Sequence, residues 1–391
     1  VTVASASATD SPSTNSKTTS SQRIYRPELD VLRFFAFFCV YLHHTLNSST
    51  SGGFARHFPG IAPWYLVFQQ TLGLGLCLFF FLSSYLITSL LRIEQSRTGT
   101  VNLKKFYVRR ILRIWPLYLT FLLVISVAGI WWHQVRVEPL RLIALLLLAG
   151  NWYSIVAGLG ASAISHLWSI SVEEQFYVIW PSVSRAFNAR KLLVVCCVLC
   201  LVSLGTTWAL GIRGATSISI WFNSIVQTLF FASGALLALA IGIRQQIKSL
   251  LRASLAIGGG LVLWFAAAGF GGMTDRVHTV IPWRITLGYA VVAVGCALLL
   301  WGFLHLPGKL LFRPLLYLGR ISYGLYVFHE LVLTSVHSLG FHNVTSLRAS
   351  GTLLVVKFLV TVAMATLSYE FLEKPFLKLK SRFELVHTRV A

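Results

Sequence analysis

The run Asp30-Val-Leu-Arg-Phe-Phe-Ala-Phe-Phe-Cys-Val-Tyr-Leu-His-His44 decides what kind of molecule this is. A stretch of Leu, Phe, Val and Cys suits lipid, yet four ionisable groups flank or interrupt it: Asp30, Arg33, His43 and His44. Such groups at membrane depth cost about 2.5–3.5 kcal/mol each even on the lenient insertion scale, so each needs a reason. At 100° per residue, eleven positions return to within about 20° of the start. Arg33 and His44 therefore share one helix face, roughly 16 Å apart along the axis. Asp30 lies one turn below Arg33, close enough to pair with it.

Working outward, apolar runs long enough to cross about 30 Å of hydrocarbon recur from about Val31 to Tyr369. The chain has 391 residues, 56% of them hydrophobic and 12% charged, with a mean hydropathy of +0.72; this excludes an ordinary water-soluble globule. Spans are expected near 31–46, 64–91, 110–130, 166–184, 192–210, 219–241, 253–271, 285–304, 314–336 and 350–373. The fold class is thus an all-α, polytopic transmembrane bundle of about ten spans. One domain, 26–376, lies between a disordered cytosolic tail, 1–25, and a basic cytosolic tail, 377–391. Residues 1–22 are rich in Ser, Thr and Ala and lack the apolar core of a signal peptide.

The net charge of +21 would suggest nucleic acid in a soluble protein, but here it reports topology, because cytoplasmic loops collect Lys and Arg. With ten crossings, the loops on the side of the termini hold 23 basic residues and the opposite loops hold seven. Both termini are therefore expected in the cytoplasm, with no nucleic-acid partner. Leu140 to Gly150 is apolar but too short for an ordinary span, and is expected to be re-entrant or interfacial. The six cysteines fall inside spans without metal-ligand spacing, as packing residues do, and no metal is expected.

A second constellation, His166-Leu-Trp-Ser-Ile-Ser-Val-Glu-Glu-Gln-Phe-Tyr177 followed by Trp180-Pro181, opens the span expected over 166–184. His166, Ser169, Glu173, Tyr177 and Trp180 follow helical steps and line one face, with Glu174 turned about 100° away. Glu173 is the better inward carboxylate, able to orient a histidine; a polar helix-packing network is the plainer alternative. A third group, Lys104, Lys105, Arg109, Arg110 and Arg113, converges forked donors that suit phosphates, although lipid anchoring would use the same residues. The last comprises Gly319-Arg-Ile-Ser-Tyr-Gly-Leu-Tyr-Val-Phe-His329-Glu330 and Ser368 to Phe376, whose buried polar groups packing explains nearly as well as catalysis. Trp64-Tyr65, Trp131-Trp132 and Trp152-Tyr153 read as an interfacial aromatic belt.

Together these motifs resemble the acyltransferase-3 family of membrane-bound O-acyltransferases, from about Arg26 to Phe376. The resemblance is carried by Pro27 through Arg33 with His43-His44, Arg109-Arg-Ile-Leu-Arg113, His166 through Tyr177, Ser322 through His329 and Glu373 through Phe376. It implies a ten-helix bundle in the bacterial cytoplasmic (inner) membrane. Such a bundle takes acetyl or another short acyl group from acyl-CoA and esterifies hydroxyls of envelope carbohydrates or related acceptors. It further implies that Arg33 and His44 are essential and that Arg110 and Arg113 attend the donor. No fused hydrolase-like module is read within the sequence, so the acceptor is expected to come directly to the membrane domain.

The mechanism expected from this combination holds coenzyme A at the cytosolic surface of Asp30, Arg33, Arg109, Arg110 and Arg113, its thioester arm threaded past Arg33. Neutral His44 deprotonates the acceptor hydroxyl. Ser169, Tyr323 or backbone donors stabilise the oxyanion, Glu173 or His166 orients the base, and His329 supports. A covalent relay through a side chain is an open alternative. The rival class is a proton-coupled transporter or exporter of a lipid-linked or small glycan, with buried His and Glu as a proton relay.

Overall fold

The computed structural model describes residues 25–49, 60–160, 163–241, 247–271, 280–340 and 347–384. The expected tails, apart from Tyr25 and residues 377–384, lie outside these. The described residues form helices and no strand, because helices alone satisfy every backbone group within a single segment crossing lipid.

The first helix, α1 (Pro27–Ser49), opens on proline with Glu28 and Asp30 in its first turn, where acids complement the helix dipole. Next come α2 (Ala62–Gly73) and α3 (Gly75–Thr98), so the span expected over 64–91 is two helices divided at Leu74. The long α4 (Leu103–Trp131) starts at Asn102, whose side chain accepts the Lys105 N–H at 3.0 Å. Leu140 to Gly150 falls in α5 (Pro139–Leu146) and the start of α6 (Gly150–Ala157). Eight helical residues reach only about 12 Å, too little to cross a bilayer. The chain continues as α7 (Trp168–Ala186), α8 (Ala189–Ile212), α9 (Ser217–Phe222), α10 (Ser224–Ile241), α11 (Leu250–Phe270) and α12 (Pro282–Leu304). It closes with α13 (Arg313–Arg320), α14 (Ser322–Ser338), α15 (Leu347–Ser368), a π-turn over Tyr369–Glu373 and α16 (Lys374–Ser381).

Eight helical segments among the described residues are long and apolar enough to cross a membrane. The other two expected crossings are helical but differ in kind. Over 166–184, α7 carries Ser, Glu and Gln through its length, and 314–336 is broken between α13 and α14 at Ile321. Outward faces are apolar, as lipid demands: Val194, Val198 and Leu201 on α8 and Leu123, Val124 and Ile130 on α4 are exposed.

At the centre, α1 touches α2, α3, α12, α13 and α14. Two glycines allow this. A Cβ on Gly75 would fall 2.5 Å from the Ala36 carbonyl oxygen, and one on Gly319 would fall 2.0 Å from that of Asp30, so α3 and α13 approach α1 backbone to backbone. Phe37 and Tyr41 of α1, with Phe80, Phe81 and Tyr85 of α3, are fully buried in the resulting core. Lys248 ties the start of α1 to the end of α12 through Glu28 and, at 2.9 Å, the Leu304 carbonyl. The helix bearing Arg33 and His44 is therefore held along its whole length.

Candidate active site

Two separate cavities enter the bundle along α1. The first, of about 230 Å³, is lined by Asp30 and Arg33 of α1, Ser83 of α3, Arg109, Arg110 and Arg113 of α4, Ser169, Glu173 and Tyr177 of α7, and Tyr323 and Tyr326 of α14. Arg33 reaches Asp30 at 2.6 Å, as their spacing predicts, and Tyr25 donates to the other Asp30 oxygen at 2.9 Å. Arg109 is held by Glu94 at 3.1 Å and by the Phe383 carbonyl at 3.0 Å. Arg110 lies over the Tyr177 ring at 4.7 Å, and neither it nor Arg113 has a carboxylate within ion-pair distance among the described residues. This arginine cavity thus has guanidinium donors that no acid among the described residues neutralises at contact range.

Glu173 stands on the wall of that cavity, accepting hydrogen bonds from Ser83 and Tyr177. Its neighbour Glu174, facing the other way, is buried and accepts the Trp115 indole N–H at 3.0 Å. Tyr323 also faces the cavity, but its hydroxyl donates to the Ile114 carbonyl at 3.0 Å and fastens α14 to α4.

The second cavity, about 910 Å³, is lined by His43 and His44 of α1, His166 and Trp168, Tyr326, Glu330 and His337 of α14, and the Leu159-Gly160 loop. Arg141 props that loop by donating to the Gly158 carbonyl at 2.9 Å. His43 is turned to the Gln69 carbonyl at 2.8 Å. His44 instead faces α14: its Nδ1 lies 3.6 Å from Glu330 Oε2, which is 3.9 Å from Nε2 of the wholly buried His329. The His166 ring lies 4.9 Å from that of His329. Glu330, and not Glu173, is therefore the carboxylate beside His44.

Leu76 and Tyr326 line both cavities. The Tyr326 hydroxyl is 2.5 Å from Ser169 Oγ and donates to the His166 carbonyl at 3.1 Å, which Ser169 also approaches at 3.0 Å. Two hydroxyls thus meet where an arginine-lined space abuts a histidine-lined one. Sequence reasoning singled out Ser169 and passed over Tyr326, although Tyr326 stands four residues after Ser322 and three before His329 on one helical face. Ser83 was missed, and Glu330 was placed only among buried polar groups that packing explains nearly as well as catalysis; each finds its partner on a distant helix.

A family model described as acyltransferase domain matches residues 26–370. The chain is 26% identical over 386 residues to a peptidoglycan O-acetyltransferase, OatA, of Listeria monocytogenes, covering 93% of this chain and 57% of that protein. It is 26% identical over 376 residues to the O-acetyltransferase OatA of Staphylococcus aureus, covering 90% and 57%. A putative O-acetyltransferase of Staphylococcus aureus is 24% identical over 378 residues, covering 90% and 58%. The chain thus spans a little over half the length of these curated relatives. No solved structure matches.

Proposed function

This chain belongs to the acyltransferase-domain family, and on that premise we propose that it moves an acetyl or other short acyl group from acyl-CoA to a hydroxyl of a cell-envelope carbohydrate. The observation that carries this reading is the meeting of two unlike cavities at Tyr326 and Ser169: guanidinium donors on one side, imidazoles and a carboxylate on the other. Ten crossings of the bacterial cytoplasmic membrane with both termini in the cytosol open the arginine cavity toward the cytosolic donor. The names of the relatives support a glycan such as peptidoglycan as the acceptor.

In this mechanism Arg33, Arg110 and Arg113 meet the phosphates of the donor, while Asp30 and Glu94 hold Arg33 and Arg109 in place. Glu173 fixes Tyr177, on which Arg110 lies, and so shapes the donor surface. The slender thioester arm brings its carbonyl to Tyr326 and Ser169. The acceptor hydroxyl gives its proton to His44, its oxygen bonds to the thioester carbon, the C–S bond breaks, and the departing thiolate takes a proton to leave as free coenzyme A. Hydroxyl donors aimed at the oxyanion contribute about 3–4 kcal/mol each in well-arranged sites. Glu330 orients His44 as the third member of a triad does, with His329 behind both.

The test is label transfer from acyl-CoA to an envelope-glycan extract by the protein in liposomes, with free thiol measured alongside. Both signals should appear in the wild type and vanish in folded His44→Ala. Equal transfer in the two proteins would remove His44 from the chemistry. Absence of thiol release with any acceptor would favour a glycan transporter instead.

A further inference from the structure

His44 and its two neighbours, His329 and Glu330, form a trio that is unusual in what it lacks. Nδ1 of His329 faces the Tyr326 carbonyl at 2.6 Å; a carbonyl only accepts, so that nitrogen carries the proton and Nε2 presents a lone pair. Neither Nε2 of His329, a wholly buried residue, nor the buried Oε2 of Glu330 has a hydrogen-bond partner. One donor atom from each of His44, His329 and Glu330 lies within 4.8 Å of the other two. Donors of two imidazoles and a carboxylate converge on one point.

We propose that His44, His329 and Glu330 form a binding site for a divalent transition-metal ion of the zinc class, and that the bound ion blocks acyl transfer by occupying the base. Two imidazole nitrogens and one carboxylate oxygen are a donor set zinc accepts, leaving a fourth position for water. Tetrahedral bonds of about 2.1 Å place donors roughly 3.4 Å apart; the separations from Glu330 are 3.6 and 3.9 Å and every donor pair lies within 4.8 Å, so side-chain rotation closes the set. The hydrogen bond from His329 to the Tyr326 carbonyl is the outer partner that orients a metal-binding imidazole. Among the described residues lining this cavity there is no Lys or Arg, and Glu330 is its one carboxylate. The open volume of about 910 Å³ admits a hydrated ion. An ion on His44 removes the lone pair that would accept the hydroxyl proton. This inhibitory consequence rests on the acyl-transfer reading; the binding does not.

The experiment titrates zinc alone into the purified, chelator-stripped full chain, by calorimetry and bound-metal counting, for wild type, Glu330→Gln, His329→Ala and His337→Ala. One ion per chain is expected at micromolar or lower concentration, with affinity reduced about tenfold or more in the first two variants and unchanged in His337→Ala. Zinc-free melting temperatures establish that each variant is folded, and the conservative Glu330→Gln keeps the test valid where His329→Ala does not fold. No binding by folded wild type overturns the site in favour of a shared proton, as does binding that Glu330→Gln leaves unchanged. In the transfer assay zinc should inhibit with the midpoint of binding; acceleration by zinc would overturn the competition while leaving the site standing. Failure of acyl transfer altogether would leave the titration, which uses neither donor nor acceptor, intact.

Discussion

Replacing Tyr326 with phenylalanine removes one oxygen from the point where the two cavities meet, and the structure separates its cost to folding from its cost to chemistry. The lost hydroxyl leaves no carbonyl orphaned, because Ser169 still lies 3.0 Å from the His166 carbonyl. The change is isosteric otherwise, so stability should fall by about 0.5–1.5 kcal/mol, the net worth of one hydrogen bond. If the hydroxyl is the donor to the oxyanion, the transfer rate should fall about 10²–10³-fold, as it does when one such donor is removed elsewhere. The assay is single-turnover transfer from labelled acyl-CoA in liposomes, beside thermal unfolding of the same preparation. A rate within about threefold of wild type would refute the placement of the thioester carbonyl at Tyr326. A large rate loss matched by equally large destabilisation would refute the separation of roles.

Gly319→Ala should destabilise the bundle by about 1–3 kcal/mol or more, since its Cβ would fall 2.0 Å from the Asp30 carbonyl oxygen; thermal unfolding measures this. On the proposed mechanism, in which Arg113 meets the donor and not the reacting carbon, Arg113→Ala should raise the KM for acyl-CoA about tenfold or more with little change in kcat; steady-state kinetics over donor concentration decides. Glu330→Gln, assayed in chelator, should lower kcat about tenfold or more with the donor KM unchanged, and Glu330→Asp should restore part of the rate.

How much of this was legible in the sequence depends on whether a relation runs along one helix or between two. Arg33 and His44 were set on one face by periodicity alone, and they line the two cavities in the order their spacing implies. The Asp30–Arg33 pair was legible for the same reason. Periodicity also chose Glu173 over Glu174 as the cavity-facing carboxylate, but could not show that Glu174 is buried against Trp115. Nor could it show that Glu173 is joined to Ser83, ninety positions away. The encounter of His44 with Glu330 joins the first helix to one near the end of the chain, and no local pattern announces it. Breaks at Leu74 and Ile321 were missed because spans drawn on overall apolarity average over the Gly73-Leu-Gly75 and Arg320-Ile-Ser322 steps at which the helices part.

Leu76 and Tyr326, which line both cavities, and Ser169, bonded to Tyr326, have a consequence for the cell's energy supply. A membrane that stores an electrochemical gradient loses it through any continuous thread of water, yet a catalyst fed from two faces must open toward both. On the proposed mechanism, a seal of two hydroxyls sharing one backbone carbonyl, with a leucine beside them, would let an acyl carbon be handed across a distance of a few atoms while keeping solvent on the two sides apart. Enlarging that seal, as in Leu76→Gly, should therefore cost the host proton tightness as well as ester yield.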